Sequence, residues 1–146
     1  MKSFIRPISP LLCMAALNAS AGPAPVVINP DGAWCWFQDE RALMLGRDKV
    51  TIASITGTGD VQVTTWNLSD GTTSIATLHE DFEADDHNVP GMMVRDDGRI
   101  LALYAKHHRE PRMYYRVSTR PHDATEWEPE QTYDAGVTDP FTYANP

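Results

Sequence analysis

Cysteine is scarce. The 146 residues hold two, Cys13 and Cys35, too few for a small disulfide-stapled scaffold. Long apolar runs are absent as well. No stretch approaches the roughly 20 apolar residues that a membrane-spanning helix needs. Positive charge is in short supply: 12 Lys and Arg stand against 20 Asp and Glu, for a net charge of -8. That balance argues against a general nucleic-acid binder, which presents a basic surface. Helical periodicity is missing after the first twenty or so residues. So are a P-loop, a G-x-G-x-x-G turn and a nucleophile elbow. With them go the usual sequence grounds for nucleotide binding and serine-hydrolase chemistry.

What is present begins with a leader. Lys2 and Arg6 precede a short apolar run, Ile8 to Leu17, and Ala19-Ser20-Ala21 follows. Charge, apolar run and small-x-small site in that order predict a secretory signal peptide over residues 1–21, cleaved near Ala21. The alternatives are a frayed N-terminal helix or a lipoprotein on Cys13, although the residues before Cys13 lack the usual small side chains. The expected destination is secreted or periplasmic. The expected mature domain is 22–146, with Cys35 as its single cysteine. Cys35 lies between Trp34 and Trp36, which predicts a buried thiol; a metal ligand or a partner for a cysteine outside this chain are the other readings.

Short alternating runs separated by Gly, Asp and Asn are strand and turn signals. Four strands are expected at Arg41–Leu45, Val50–Thr56, Asp60–Asn67 and Ser74–His79. Four more are expected at Gly91–Arg95, Arg99–Ala105, Arg112–Ser118 and Glu128–Tyr133, the first pair joined by the hairpin turn Asp96-Asp97-Gly98. Four-stranded units repeating at about 40–50 residues predict an all-β propeller. Ser118-x-x-Pro121-x-Asp123-x-x-x-Trp127 reads as a degenerate Asp-box. Propellers close with about four to eight blades. Two blades and the start of a third at Asn145-Pro146 therefore predict an N-terminal part of a larger propeller. A small eight-stranded β-sandwich is the alternative.

The hairpin carries the chemistry. Antiparallel partners lie equidistant from their turn, and His87 and His107 are equally far from Asp97. Extending the hairpin sets the two imidazoles opposite each other, with Cβ atoms about 5 Å apart. A bulge at Pro90-Gly91 would shift this register by one. The returning segment His108-Arg109-Glu110-Pro111 brings Arg112 and Tyr114 to the same end. The expected rim is His87, Asn88, His107, His108, Arg109, Arg112 and Tyr114. Two histidines, a tyrosine and arginines suit acid–base chemistry on an anion. The stretch Arg99 to Arg120 supports this, holding half of the Lys and Arg and a single acid, Glu110. The same cluster also reads as a solvated strand face.

Other constellations are open. His87 and His107 with Asp85 or Asp86 form a zinc-type set without tight ligand spacing. The acids Glu80, Asp81, Glu83, Asp85 and Asp86 form either a calcium loop or a solvated one. Trp34, Trp36 and Phe37 either stack on sugar rings or pack in the inner strands, with packing expected for at least two of them. Gln38 and Arg41 complete the binding candidates; Arg41 would hold a carboxylate or pair with Asp39.

Four segments resemble a known family. They are Ala33-Trp34-Cys35-Trp36-Phe37-Gln38-Asp39-x-Arg41-Ala42, Asp85-Asp86-His87-Asn88-x-Pro90, Tyr104-Ala105-Lys106-His107 and Met113-Tyr114-Tyr115-Arg116-Val117-Ser118. Together they resemble the BNR-repeat propellers that include ulvan lyases acting on uronate polysaccharides. The resemblance implies a seven-bladed propeller about three times this length. It also implies β-elimination beside a uronate, with His87 and His107 as the carried-over catalytic residues and an anionic polysaccharide as substrate. A catalytic tyrosine and a neutralising arginine would sit in later blades. No cofactor is required for this chemistry, with structural calcium or zinc as additions. No nucleic-acid or membrane partner is expected, and the expected state is a monomer. Glu40 and His108 depart from the family pattern, where proline and asparagine are expected. A glycoside hydrolase of rhamnosidase or sialidase type, and a non-catalytic carbohydrate-binding propeller, are the competing functions.

Overall fold

The structure, a computed structural model, describes residues 22, 24–37, 42–134 and 136–146. The expected signal peptide, Gln38 and Arg41 lie outside these residues.

Two antiparallel sheets follow one another along the chain. The first has the order β1-β2-β3-β4, with β1 Ala42–Leu45, β2 Lys49–Ile55, β3 Val61–Asn67 and β4 Thr73–His79. Its central strands are rich in Val, Ile and Thr, residues that suit a pleated surface. Thr51 and Thr65 face each other across β2 and β3, both buried, their hydroxyls 2.9 Å apart. That bond satisfies groups that would be costly to bury alone.

The second sheet runs β5 Gly91–Val94, β6 Ile100–Tyr104, β7 Arg112–Arg120 and β8 Asp123–Trp127, with β9 Gln131–Asp134 also on β7. Here one expected strand is corrected. In place of Glu128–Tyr133 there are two short strands. β8 turns back on the far end of β7 through Arg120 and Asp123, while β9 takes the near end, Arg112 to Tyr115. The Asp-box explains the extra hairpin. Asp123 accepts from the backbone N–H and hydroxyl of Thr125, and the Trp127 indole donates to the Ala124 carbonyl. The motif therefore closes the β7–β8 turn and docks Trp127 on the core.

One apolar cluster joins the sheets. Leu43, Leu45, Ile55, Val61 and Val63 of the first meet Met92, Ile100, Ala102 and Tyr104 of the second. Cys35 belongs to it, 4 % exposed, the buried thiol the sequence predicts. The two units are thus adjacent four- to five-stranded blades packed face on face, the propeller arrangement.

The loop between the blades carries the site, and Gly59 seats it. Gly59 has φ of +94°, and a Cβ there would lie 2.8 Å from the backbone of Glu83 and Ala84. Its carbonyl accepts from the N–H groups of Phe82 and Glu83, and Asp60 accepts from Asp81 N–H. Any side chain at 59 would push the acidic loop away from the first blade.

Candidate functional site

The hairpin register sets the geometry. Gly91 pairs with Leu103 and Val94 with Ile100, each pair equidistant from Asp97. Beyond Gly91 the chain leaves the ladder through a single 3-10 turn, Asp86–Asn88. His87 and His107 still meet. Their rings stack 3.9 Å apart at 18°.

Asp85 holds both rings. His87 Nδ1 lies 2.6 Å from Asp85 Oδ1, and His107 Nδ1 lies 3.0 Å from Oδ2. The His87 backbone N–H also donates to Oδ1, capping the turn. Burial alone would raise the Asp85 carboxyl, but these hydrogen bonds outweigh it and hold the group at about 2. An ionised carboxylate only accepts, so both Nδ1 atoms carry hydrogen. In a neutral ring the lone pair then sits on Nε2, the tautomer of a proton acceptor. His87 is 28 % exposed and His107 35 %, so both are within reach of a ligand.

Glu83 braces the cluster from below. Its carboxylate accepts from Asn88 Nδ2 at 3.0 Å, from the His107 backbone N–H at 3.2 Å and from Arg109 Nε at 2.7 Å. Burial pushes the Glu83 carboxyl up, and the Arg109, Asn88 and His107 bonds pull it below its ordinary value. Asn88 is fully buried. Its amide N–H donates to the Glu83 carbonyl and carboxylate, which braces the histidine turn.

The remaining expected rim residues divide. His108 lies beside His107, ring to ring at 6.5 Å, and its N–H bonds Thr142 and Phe141. Arg109 is exposed but paired with Glu83. Arg112 sits 3.8 Å from Glu110. Tyr114 turns its ring onto Phe82 and His79 and donates its hydroxyl to Glu110. Burial first, then that bond, raises its pKa. Tyr114 therefore packs between the blades and does not join the histidine pair. The basic stretch also divides. Arg99 pairs with Asp97, and Arg120 with Asp123 and Glu126 at the far end, while Lys106 sits near Glu110. The single acid counted within that stretch is supplemented by acids from elsewhere in the fold.

The acidic loop splits in the same manner. Asp85 serves the histidines and Glu83 serves Asn88, His107 and Arg109, so these two do not converge on one cation site. Asp85, His87 and His107 do offer three ligand atoms within 4.8 Å of one another, the zinc-type set noted in the sequence. Trp34, Trp36 and Phe37 are 54 %, 73 % and 57 % exposed, which corrects the packing expected for at least two of them. Sequence reasoning placed Glu83 in the acidic run without its bracing role, and missed Tyr143. Tyr143 lies 5.4 Å from the His87 ring and 5.0 Å from Phe37. The place of Glu83 two residues before Asp85 in the acidic run was the available signal for the first. Nothing local marked the second.

An open cleft of about 430 Å³ borders the cluster, lined by Asp81, Phe82, Glu83, Lys106, Arg109 and Glu110. A second, of about 410 Å³, lies against Asp85 and Asp86 on the side of the first blade. The clefts lie against the carboxylates that brace the histidines, Glu83 on one side and Asp85 on the other.

The chain belongs to the BNR repeat-containing family, which matches residues 35–146. Among solved structures it is similar to an ulvan lyase, a polysaccharide lyase of a new family, bound to -[GlcA(1-4)Rha3S]-. Identity is 17 % and the TM-score 0.54, over 80 % of this chain and 30 % of that one. A further structure of the ulvan lyase matches at 18 % identity with the same TM-score and the same coverage. This chain thus spans 30 % of the length of either. No curated protein matches. The likeness shows the fold.

Proposed function

We propose that this chain supplies the histidine pair of a secreted polysaccharide lyase that cleaves uronate-containing, ulvan-like chains by β-elimination. The observation that carries the reading is the stacked His87–His107 pair bridged by the ionised Asp85 carboxylate, with Asp86 also 3.1 Å from His87 Nδ1. In the elimination, Nε2 of one ring takes the C5 proton of the uronate. The C5–H electrons form the C4=C5 double bond, and the C4–O4 bond breaks. A proton delivered to O4 completes the leaving group. His107, the more exposed ring, is assigned the proton transfer, and His87 is its partner or a ligand of the uronate carboxylate. Neutralising that carboxylate makes C5–H acidic enough to lose. The tyrosine and arginine implied by the family resemblance would be supplied by further blades. The leader at residues 1–21 is read as the signal that exports the protein.

Hydrolysis fits the same residues less well. A glycosidase needs one carboxylic acid held protonated and a second carboxylate. Glu83 and Asp85 are both pulled below their ordinary values and committed to partners. A divalent cation at Asp85, His87 and His107 is the second reading, favoured by their three convergent ligand atoms.

Product masses decide among these. After incubation with oligosaccharides of glucuronate and sulfated rhamnose, elimination gives fragments that together weigh the same as the substrate. Hydrolysis adds one water per cut. A binding module leaves the substrate intact. Dialysis against a chelator leaves elimination unchanged if the histidines act alone, and abolishes it if a bound cation is required.

A further inference from the structure

Two large aromatic rings, Trp36 and Phe37, stand at the surface, and the partly buried Tyr143 links them to the histidines. Trp36 meets Phe37 edge to face at 5.8 Å, Phe37 meets Tyr143 at 5.0 Å, and Tyr143 meets His87 at 5.4 Å. The row is continuous, and it joins segments near opposite ends of the chain. Its placement is built. Phe141 N–H donates to the Glu110 carbonyl, and His108 N–H donates to Phe141 and Thr142. These bonds tie the Tyr143 segment to the loop that carries His107. Tyr143 itself takes φ of +58°, a conformation unfavourable for a bulky residue and kept where the surroundings over-determine it.

Exposure of Trp36 and Phe37 in one contiguous patch is unfavourable in water unless something covers it. The cover must be able to lie flat on aromatic rings and continue into a polar acid–base site. A pyranose ring does both. One of its faces carries axial C–H groups, which suit the negative face of an aromatic ring, and its rim carries hydroxyls.

We propose that Trp36, Phe37 and Tyr143 form a sugar-stacking subsite, taking the C–H face of the pyranose that flanks the sugar bound at the histidine pair. The inference rests on the carbohydrate reading above and adds a subsite to it. It makes the polymer, and not the single uronate, the unit that the protein recognises.

The test is calorimetric binding of an oligosaccharide of -[GlcA(1-4)Rha3S]- repeats to the protein and to its Trp36→Ala, Phe37→Ala and Trp36→Phe variants. Thermal melts establish that each variant is folded, as the exposure of both rings leads one to expect. The two alanine variants should each bind about 3- to 10-fold more weakly, and Trp36→Phe should recover most of the loss. Unchanged affinity in both folded alanine variants overturns the subsite and leaves the carbohydrate reading standing. No binding by the unmodified protein overturns that reading and the subsite together.

Discussion

Two carboxylates in this molecule hold a histidine in nearly the same way and serve different ends. Asp85 takes His87 Nδ1 at 2.6 Å, and Glu130 takes His79 Nδ1 at 2.7 Å. Around Glu130 the second partner is a phenol, at the rim of an open cleft that His79 and Glu130 line. The Tyr104 hydroxyl donates to the same oxygen at 2.6 Å, Tyr104 is fully buried, and Phe82 packs on both Tyr104 and His79. Burial first, then the Glu130 bond, raises the Tyr104 pKa, so the hydroxyl keeps its proton. This cluster bridges β4 of one blade to the strands of the next. Around Asp85 a second imidazole replaces the tyrosine, and the two imidazoles stack on each other. A histidine–carboxylate pair is therefore not in itself a sign of chemistry. The second ring decides: a phenol that keeps its proton beside Glu130, an imidazole beside Asp85.

Substitutions can break that comparison. The largest effect is expected from Asp85→Asn. An amide cannot accept from both rings as a carboxylate does, so the bridge is lost and His107, which among the described residues has no second carboxylate as His87 has in Asp86, loses its fixed tautomer. Turnover should fall about 10²–10⁴-fold, measured as initial rate, with the melting temperature moved far less. Glu130→Gln should show the opposite pattern. It weakens a charge-assisted bond to a buried hydroxyl, costing about 1–3 kcal/mol by urea unfolding, and should leave the ratio of kcat to KM close to that of the unmodified protein. Equal loss of activity in both variants would end the distinction between the clusters. Gly59→Ala lies between them. It destabilises by about 1–3 kcal/mol through the forced φ and the crowding against Glu83 and Ala84, and it displaces the loop that holds Asp85.

The smallest effect is the pH dependence of the Asp85 bonds. The folded carboxyl, at about 2, lies below its ordinary value of 3.8. Its contribution to stability is therefore fully present above about pH 4 and is lost as pH falls through about 2. Urea midpoints measured against pH should fall across that window in the unmodified protein. The Asp85→Asn variant should lack this part of the fall.

Much of this was legible in the sequence for a physical reason. Antiparallel pairing is symmetric about its turn, so Asp96-Asp97-Gly98 located His87 against His107 without any knowledge of the tertiary fold. The strand boundaries followed from Val, Ile and Thr alternation, and the Cys35 environment from its aromatic neighbours. The β7–β8 hairpin was misplaced because the Asp-box sets a tight turn of its own, and no alternation marks Asp123–Trp127. The basic stretch misled because its neutralising acids, Glu83 and Asp97 among them, come from other segments. Asn88 and Tyr114 were polar residues near the right end of the hairpin, and only packing shows that one is buried and the other turned onto Phe82. The Tyr143 contact joins positions more than a hundred residues apart along the chain from Phe37, which no local pattern encodes.

The central claim is that the stacked histidines remove a proton from a uronate. The most direct measurement is the ultraviolet absorbance of unsaturated uronate during incubation with the glucuronate–rhamnose sulfate polymer, for the complete propeller that carries this chain and for its His107→Ala variant. The account predicts a steady rise for the unmodified protein and a rate lower by about 10²–10⁴-fold in the folded variant. A rise of equal rate in His107→Ala, or no rise in either while the polymer is shortened, would contradict it.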